Sequence, residues 1–191
     1  MDDFLEIIKE LERKPLDINK YRKTIGRSQV YGITNRRCIK PDYSRNCWVR
    51  PYLYKLLLDY GNKNVPFPFT SITVNQNYQA QPHKDKGNVG QSFLVGFGNY
   101  TGGELKIHEG ELEGLHDIRT PVITDFSKVI HSVEDFTGDR YSLVYYNIRN
   151  KPDDILLPDV KEEDGKWYFY RGNEKITKKN PLFHPLQKKK H

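Results

Sequence analysis

The chain changes its period at about Pro66. Before that point apolar residues recur at helical spacing. After it they alternate with polar ones, and turn residues return every eight to twelve positions. Such a chain can place helices at its N-terminal side and must bury its later part as antiparallel sheet. Phe4, Ile7, Ile8 and Leu11 share one face of a first helix, and Asp3 with Glu6 has the spacing of a capping box. Leu53, Leu56, Leu57 and Tyr60 share a face of a second helix over 51–60, with Gly61 placed to end it. Strands are expected at 70–78, 92–97, 104–108, 118–124, 128–132, 141–148 and 167–171. These short strands behind helices predict a mainly β fold with N-terminal helices, a sandwich or jelly roll. We read one domain over 1–173, with helical and basic support over 1–65 and a β core over 66–173. A basic tail follows over 174–191.

Charge is unevenly placed along this frame. The 191 residues carry a net +6, yet residues 51–171 are net −4. The excess lies in 13–50, at +9, and in 172–191, at +5. The basic parts read either as a solvated surface or as a polyanion-binding face, nucleic acid being the commonest polyanion. The longest apolar runs are a few residues, so no membrane helix is expected. Cys38 and Cys47 have no metal-ligand spacing. Two cysteines fit a reducing interior with free thiols, although a bridge between them stays open. The opening MDDFLEIIKELERK is acidic and has no small-residue cleavage site. The expected location is intracellular, cytoplasm or nucleus, rather than secreted.

The chemistry concentrates around His83-Lys84-Asp85. In extended backbone, residues i and i+2 face the same way, so this imidazole and carboxylate can hold one ion. His131, at the end of an apolar strand, can supply the third ligand of a 2-His-1-carboxylate triad, the Fe(II) arrangement that leaves positions open. Arg140 and Ser142 share a face of the next strand, and a guanidinium fork beside a hydroxyl suits a ligand carboxylate. Gly102-Gly103 turns the chain between the two halves of the triad. His108 and His116 have no partner at ligand spacing, and His184 and His191 lie in the tail. Trp48 and Trp167 can stack on a base but read better as core. Lys84 and Lys86 flank the ion site and can either steer an anionic substrate or stay hydrated.

The order His83-x-Asp85, Gly-Gly-Glu-Leu at 102–105, His131, Arg140-x-Ser142 resembles the Fe(II)/2-oxoglutarate-dependent dioxygenase superfamily over about residues 66–148. The stretch PHKDKGNVGQSFLVGFGNYTGGEL and the later DRYSLVYYN are most similar to small viral and microbial members related to the TET and J-binding-protein nucleobase hydroxylases. This resemblance implies a double-stranded β-helix, a jelly-roll variant. It implies Fe(II) on His83, Asp85 and His131. It also implies 2-oxoglutarate as co-substrate, bound through Arg140 with Ser142, and O2 as oxidant. Members often place a polar residue of an earlier strand on the co-substrate; Asn75 and Asn77 are both candidates here.

Two substrate readings and one non-catalytic alternative follow. The basic segment at 13–50, interleaved with Tyr21, Tyr31, Tyr43 and Trp48, suits an oxygenase acting on a nucleobase of DNA or RNA. A peptidyl hydroxylase of the prolyl or lysyl type uses the same core. A non-catalytic jelly-roll nucleic-acid-binding module is the alternative of another class, and the full triad with Arg140 argues against it.

Overall fold

The computed structural model describes residues 2–17, 25–34, 42–149 and 157–176. The chain opens with α1 (Asp2–Arg13), β1 (Ile25–Thr34), β2 (Asp42–Tyr43), α2 (Arg45–Val49) and α3 (Pro51–Asn64). Then come β3 (Ser71–Gln79), β4 (Asn88–Gly102), β5 (Leu105–Ile107), β6 (Gly114–His116), β7 (Val122–Thr124), β8 (His131–Val133) and β9 (Phe136–Ile148). A last small sheet is made of β10 (Asp159–Glu163), β11 (Lys166–Arg171) and β12 (Glu174–Lys175). The main sheet has the order β2-β1-β3-β9-β4-β7, and a second runs β6-β5-β8. All pairings between named strands are antiparallel. This is the jelly-roll core with N-terminal helices that the periodicity predicts.

Strict alternation in the central strands divides the interior in two. Ile72 and Val74 of β3, Phe93, Val95 and Phe97 of β4, and Tyr141, Leu143 and Tyr145 of β9 join one core with Ile7, Leu11, Leu53 and Leu57 of the helices. Phe4 of α1 stacks on Phe97 with centroids 4.5 Å apart, so the helical stripe read from the sequence is the face that docks. The next residues along the same strands turn the other way. Leu94 packs with Leu105, Ile107, Ile118, Val122 and Phe126, between the two sheets. The helices therefore back the main sheet, and its opposite face is left to line a cavity.

Several boundaries differ from the expectation. Residues 1–65 are not only helical: β1 and β2 extend the main sheet, with β1 paired to β3 from Ile25↔Gln79 to Gly32↔Ser71. Gly26 and Gly32 sit at positive φ inside β1 and break its alternation in sequence. The strand expected at 92–97 runs from Asn88 to Gly102, because pairing with β9 carries it through its glycines. Only Val122–Thr124 of 118–124 is strand, and β8 begins at His131 instead of ending near it. Glu174 and Lys175, placed in the tail by the sequence reading, pair with β11. Residues 177–191, with His184 and His191, lie outside the described residues, as do Cys38, Tyr21 and the Asp3 side chain of the expected capping box. Cys47 is a free, buried thiol that accepts the Gly32 N–H at 3.1 Å, and burial pushes its pKa up to about 12.

Gly61 does not end α3; it lies inside it. A Cβ there would stand 2.5 Å from Tyr145 Cε1 and 2.6 Å from Phe69 Cζ. The missing side chain is what lets the helix approach the sheet. Overpacking of this kind costs about 1–3 kcal/mol, or roughly 3–10 °C of Tm in a chain of this size. Gly61→Val should lower Tm by that amount in a thermal melt. Asn62→Ala, one residue on and exposed, should leave Tm unchanged or raise it. Equal stability of Gly61→Val and the wild type would contradict this packing.

Candidate metal centre and active site

The two histidines meet through their backbones. His83 donates its N–H to the His131 carbonyl, and His131 returns the same bond, both at 3.0 Å. This antiparallel bridge sets residues 48 positions apart directly opposite each other. Their rings lie 4.3 Å apart. His83 Nδ1 is 2.7 Å from the Gln81 carbonyl, and His131 Nδ1 is 3.2 Å from the Val129 carbonyl. Such bonds fix each ring's orientation and turn Nε2 toward an ion. Asp85 Oδ1 stands 3.4 Å from His83 Nε2. The Asp85 N–H donates to the Phe126 carbonyl at 2.9 Å, and Asn88 Nδ2 donates to Asp85 Oδ2 at 3.2 Å. One donor atom from each of His83, Asp85 and His131 lies within 4.8 Å of the others. Two imidazoles and a carboxylate so placed fit an Fe(II) ion held on one face. His131 is buried, and burial draws its pKa below the ordinary histidine value. That favours the neutral imidazole a metal requires.

Lys84 is engaged rather than free to meet a substrate. Its Nζ donates to the Lys128 carbonyl and pairs with Glu109 Oε1, both at 2.6 Å. Glu109 also accepts the Ile130 N–H at 2.9 Å. The two chain segments that carry the histidines are thus tied together beside the ion site. Lys86 is exposed at the cavity mouth.

A cavity of about 630 Å³ contains the triad at its wall. Arg140, Ser142, Asn75, Thr73, Val144 and Tyr146 line it from the sheet side. Arg140 is 2 % exposed and Ser142 3 %. The main-sheet register explains their company, because Asn75 and Gly96 both lie opposite Ser142 from its two flanking strands. Asn75 Nδ2 donates to Ser142 Oγ at 3.1 Å. Asn77 has a different place. Its Oδ1 accepts the Arg140 backbone N–H at 2.7 Å, its φ is 50°, and it does not line the cavity. Asn75 is therefore the one of the two that can face a ligand, and Asn77 shapes the strand beneath Arg140.

Arg140 is held by its surroundings and left a charge to neutralise. Its Nε donates to the Gly103 carbonyl at 3.1 Å, and its guanidinium lies 5.6 Å from the Tyr100 ring and 5.5 Å from the Phe136 ring. A Cβ on Gly103 would come within 2.8 Å of Arg140 Cδ and Nε, which accounts for the second glycine of the turn. Burial lowers the Arg140 pKa from its ordinary value, but a guanidinium stays cationic in a protein. Among the described residues it makes no ion pair. A buried, unpaired cation aimed into a cavity calls for an anionic ligand.

Other residues singled out from the sequence fall elsewhere. His108 Nε2 is 2.9 Å from Ser132 Oγ and His116 Nε2 is 2.7 Å from the Leu112 carbonyl, so neither joins the triad. Trp48 packs on Phe169 at 4.0 Å, and Trp167 on Tyr52 at 5.4 Å. Tyr31 and Tyr43 are buried, and Arg50 is buried with Nη2 on the Glu10 carbonyl at 2.7 Å. The aromatic side chains described within 13–50 are thus core, not stacking platforms. Sequence reasoning missed Ser28 and Val30 of β1 and Tyr78 of β3, which also line the cavity. Recognising β1 as a strand of this sheet was the signal that would have found the first two. No helix among the described residues is long and apolar enough to cross a membrane.

No protein-family model matches the chain, and no curated protein does either. Solved structures do. NgTET1 in complex with 5mC DNA aligns with a TM-score of 0.55 at 16% identity, over 78% of this chain and 67% of that one. A 2OG-Fe(II) oxygenase family oxidoreductase from Burkholderia pseudomallei aligns with a TM-score of 0.48 at 16% identity, over 74% of this chain and 76% of that one. The first of these likenesses shows that the chain has the same fold as a TET protein, and the metal-ligand geometry stands on this chain's own residues.

Proposed function

We propose that the protein is an Fe(II)- and 2-oxoglutarate-dependent dioxygenase that hydroxylates a C–H bond. The observation that carries the reading is the sharing of one cavity by the His83–Asp85–His131 cluster and the buried, unpaired Arg140. His83, Asp85 and His131 would hold the iron and would leave coordination positions for other ligands. Iron with the co-substrate and O2 would supply the oxidising chemistry. The chain's own residues do the rest. Asn88 holds Asp85 in its ligating orientation, and the two backbone carbonyls hold the imidazoles. Arg140 and Ser142 would take the distal carboxylate and so orient the co-substrate. Leu94, Leu105, Phe126 and Val144 add apolar wall to the same cavity.

We infer a nucleobase as the target. Beyond Asp85 the cavity has no acidic side chain among the described lining residues, and its wall includes the hydroxyls of Ser28, Thr73, Tyr78 and Tyr146. A hydroxyl-bearing wall with no carboxylate to spare suits an uncharged planar group better than a lysine ammonium, which would want a carboxylate. The +9 of residues 13–50 supports a polyanionic substrate. So does the DNA in the complex of the structurally similar NgTET1. A base in a duplex would have to be flipped to enter such a cavity.

Four outcomes check this. In assays of succinate formation with Fe(II), O2 and excess oligonucleotide, Asp85→Ala should abolish turnover. Arg140→Ala should raise the 2-oxoglutarate requirement roughly 30-fold or more, because a desolvated charge partner is worth about 2–5 kcal/mol. An unchanged requirement would mean that Arg140 is the wrong cation. Separately, oligonucleotide binding should weaken steeply with salt, and the oxygenated oligonucleotide should gain 16 mass units, one oxygen atom. Oxygenation of peptides but not of oligonucleotides would move the reading to a peptidyl hydroxylase.

A further inference from the structure

The last small sheet has two unlike faces. Period-two alternation sends Val160, Trp167, Phe169 and Ile176 inward, where Phe169 packs on Trp48 at 4.0 Å and on Tyr54 at 6.4 Å. The register gathers the other set on the outside. Lys161 lies opposite Tyr168, Glu163 opposite Lys166, and Tyr170 opposite both Asp159 and Lys175. Directly opposed residues point to one face. Tyr168 and Tyr170 are therefore half-exposed aromatic rings on an outer face otherwise made of charged side chains.

Cations lie against these rings. Lys175 Nζ stands 3.2 Å from the centroid of Tyr168, and Lys161 Nζ 4.9 Å from that of Tyr170. The Glu163 carboxylate accepts the Tyr170 O–H on one oxygen and Lys175 Nζ on the other, the latter at 2.7 Å. Hydrogen bonds from Lys175 and Tyr170 keep the Glu163 carboxyl below its ordinary pKa, so it stays an anion. One anionic group thus sits between an ammonium and a phenol beside an aromatic ring, a place that a phosphate oxygen can take over. The charge that follows favours a polyanion. After Ile176 the chain continues into residues 177–191, which carry five lysines and no acidic residue. A single strand of nucleic acid offers phosphates to such lysines and unstacked base faces to the rings.

We propose that the outer face of β10–β12 binds single-stranded nucleic acid, with a base stacked on Tyr168 and a phosphate replacing Glu163 as the partner of Lys175. None of these residues lines the cavity, so the assignment does not depend on the oxygenase reading. The test is fluorescence anisotropy of the full chain with a labelled oligothymidylate and with an abasic strand of equal length. Tyr168→Leu keeps an apolar side chain in the strand and removes the ring. It should weaken oligothymidylate binding roughly fivefold or more, the worth of one stacked base, and leave abasic-strand binding unchanged. Lys175→Gln should weaken both and make the salt dependence shallower by about one phosphate contact. Glu163→Gln removes the competing anion, keeps an acceptor for Tyr170 and should tighten both. Equal oligothymidylate affinity in Tyr168→Leu and the wild type would overturn the assignment. Equal loss for both strands with a lower Tm would mark a structural role and overturn it too. Sedimentation of a wild-type dimer, with Tyr168→Leu monomeric and its oligothymidylate binding undiminished, would put a second copy of the chain on this face instead. A wild type that binds no oligothymidylate at low salt would overturn the surface alone, provided that Fe(II) and 2-oxoglutarate still give their charge-transfer band.

Discussion

The alternation of β9 at the centre of the main sheet is the constraint on which the rest of the structure depends. It is paired on both sides, with β3 and with β4. Every second residue from Tyr141 to Tyr145 is driven into the helix-backed core by the burial of large apolar surface. The residues between them, Arg140, Ser142, Val144 and Tyr146, are thereby committed to the cavity. A slip of one residue would send the guanidinium into the aromatic core and the tyrosines into the site. The fold's largest hydrophobic investment thus places its functional face, and the helices matter to chemistry because they cover the other side.

The candidate metal-binding triad rests on a more local device. His83 and His131 are far apart in sequence but exchange backbone hydrogen bonds as a bridged pair. The ligand geometry is therefore set by main chain, and the Lys84–Glu109–Ile130 contacts brace the same two segments from outside. Exposed pairs of this kind add little to global stability. Their effect is on the spacing of two rings, where small displacements change metal affinity.

Much of this was legible in the sequence because it depends on period-two spacing. His83 with Asp85, and Arg140 with Ser142, each need only strand geometry to be read. The pairing of His83 with His131 and the choice of Asn75 over Asn77 were not legible, since both depend on register between strands. Asn77 looks equivalent to Asn75 along the strand, yet its left-handed backbone turns it to cap Arg140. β1 escaped notice because Gly26 and Gly32 interrupt it and because its neighbours are basic. Tyr31 and Tyr43 misled for a related reason: aromatic residues among cations resemble a stacking surface in sequence, but here tertiary contacts bury them. The proposed polyanion binding therefore rests on the charge of residues 13–50 as a whole rather than on an aromatic platform in that segment.

The account turns on whether the triad and Arg140 act on one bound co-substrate. Anaerobic titration of the full chain with Fe(II) and 2-oxoglutarate measures this without any assumption about the prime substrate. A visible metal-to-ligand charge-transfer band should grow to one equivalent per chain and be absent in His131→Ala. A wild-type protein that binds Fe(II) yet develops no such band on adding 2-oxoglutarate would contradict the account.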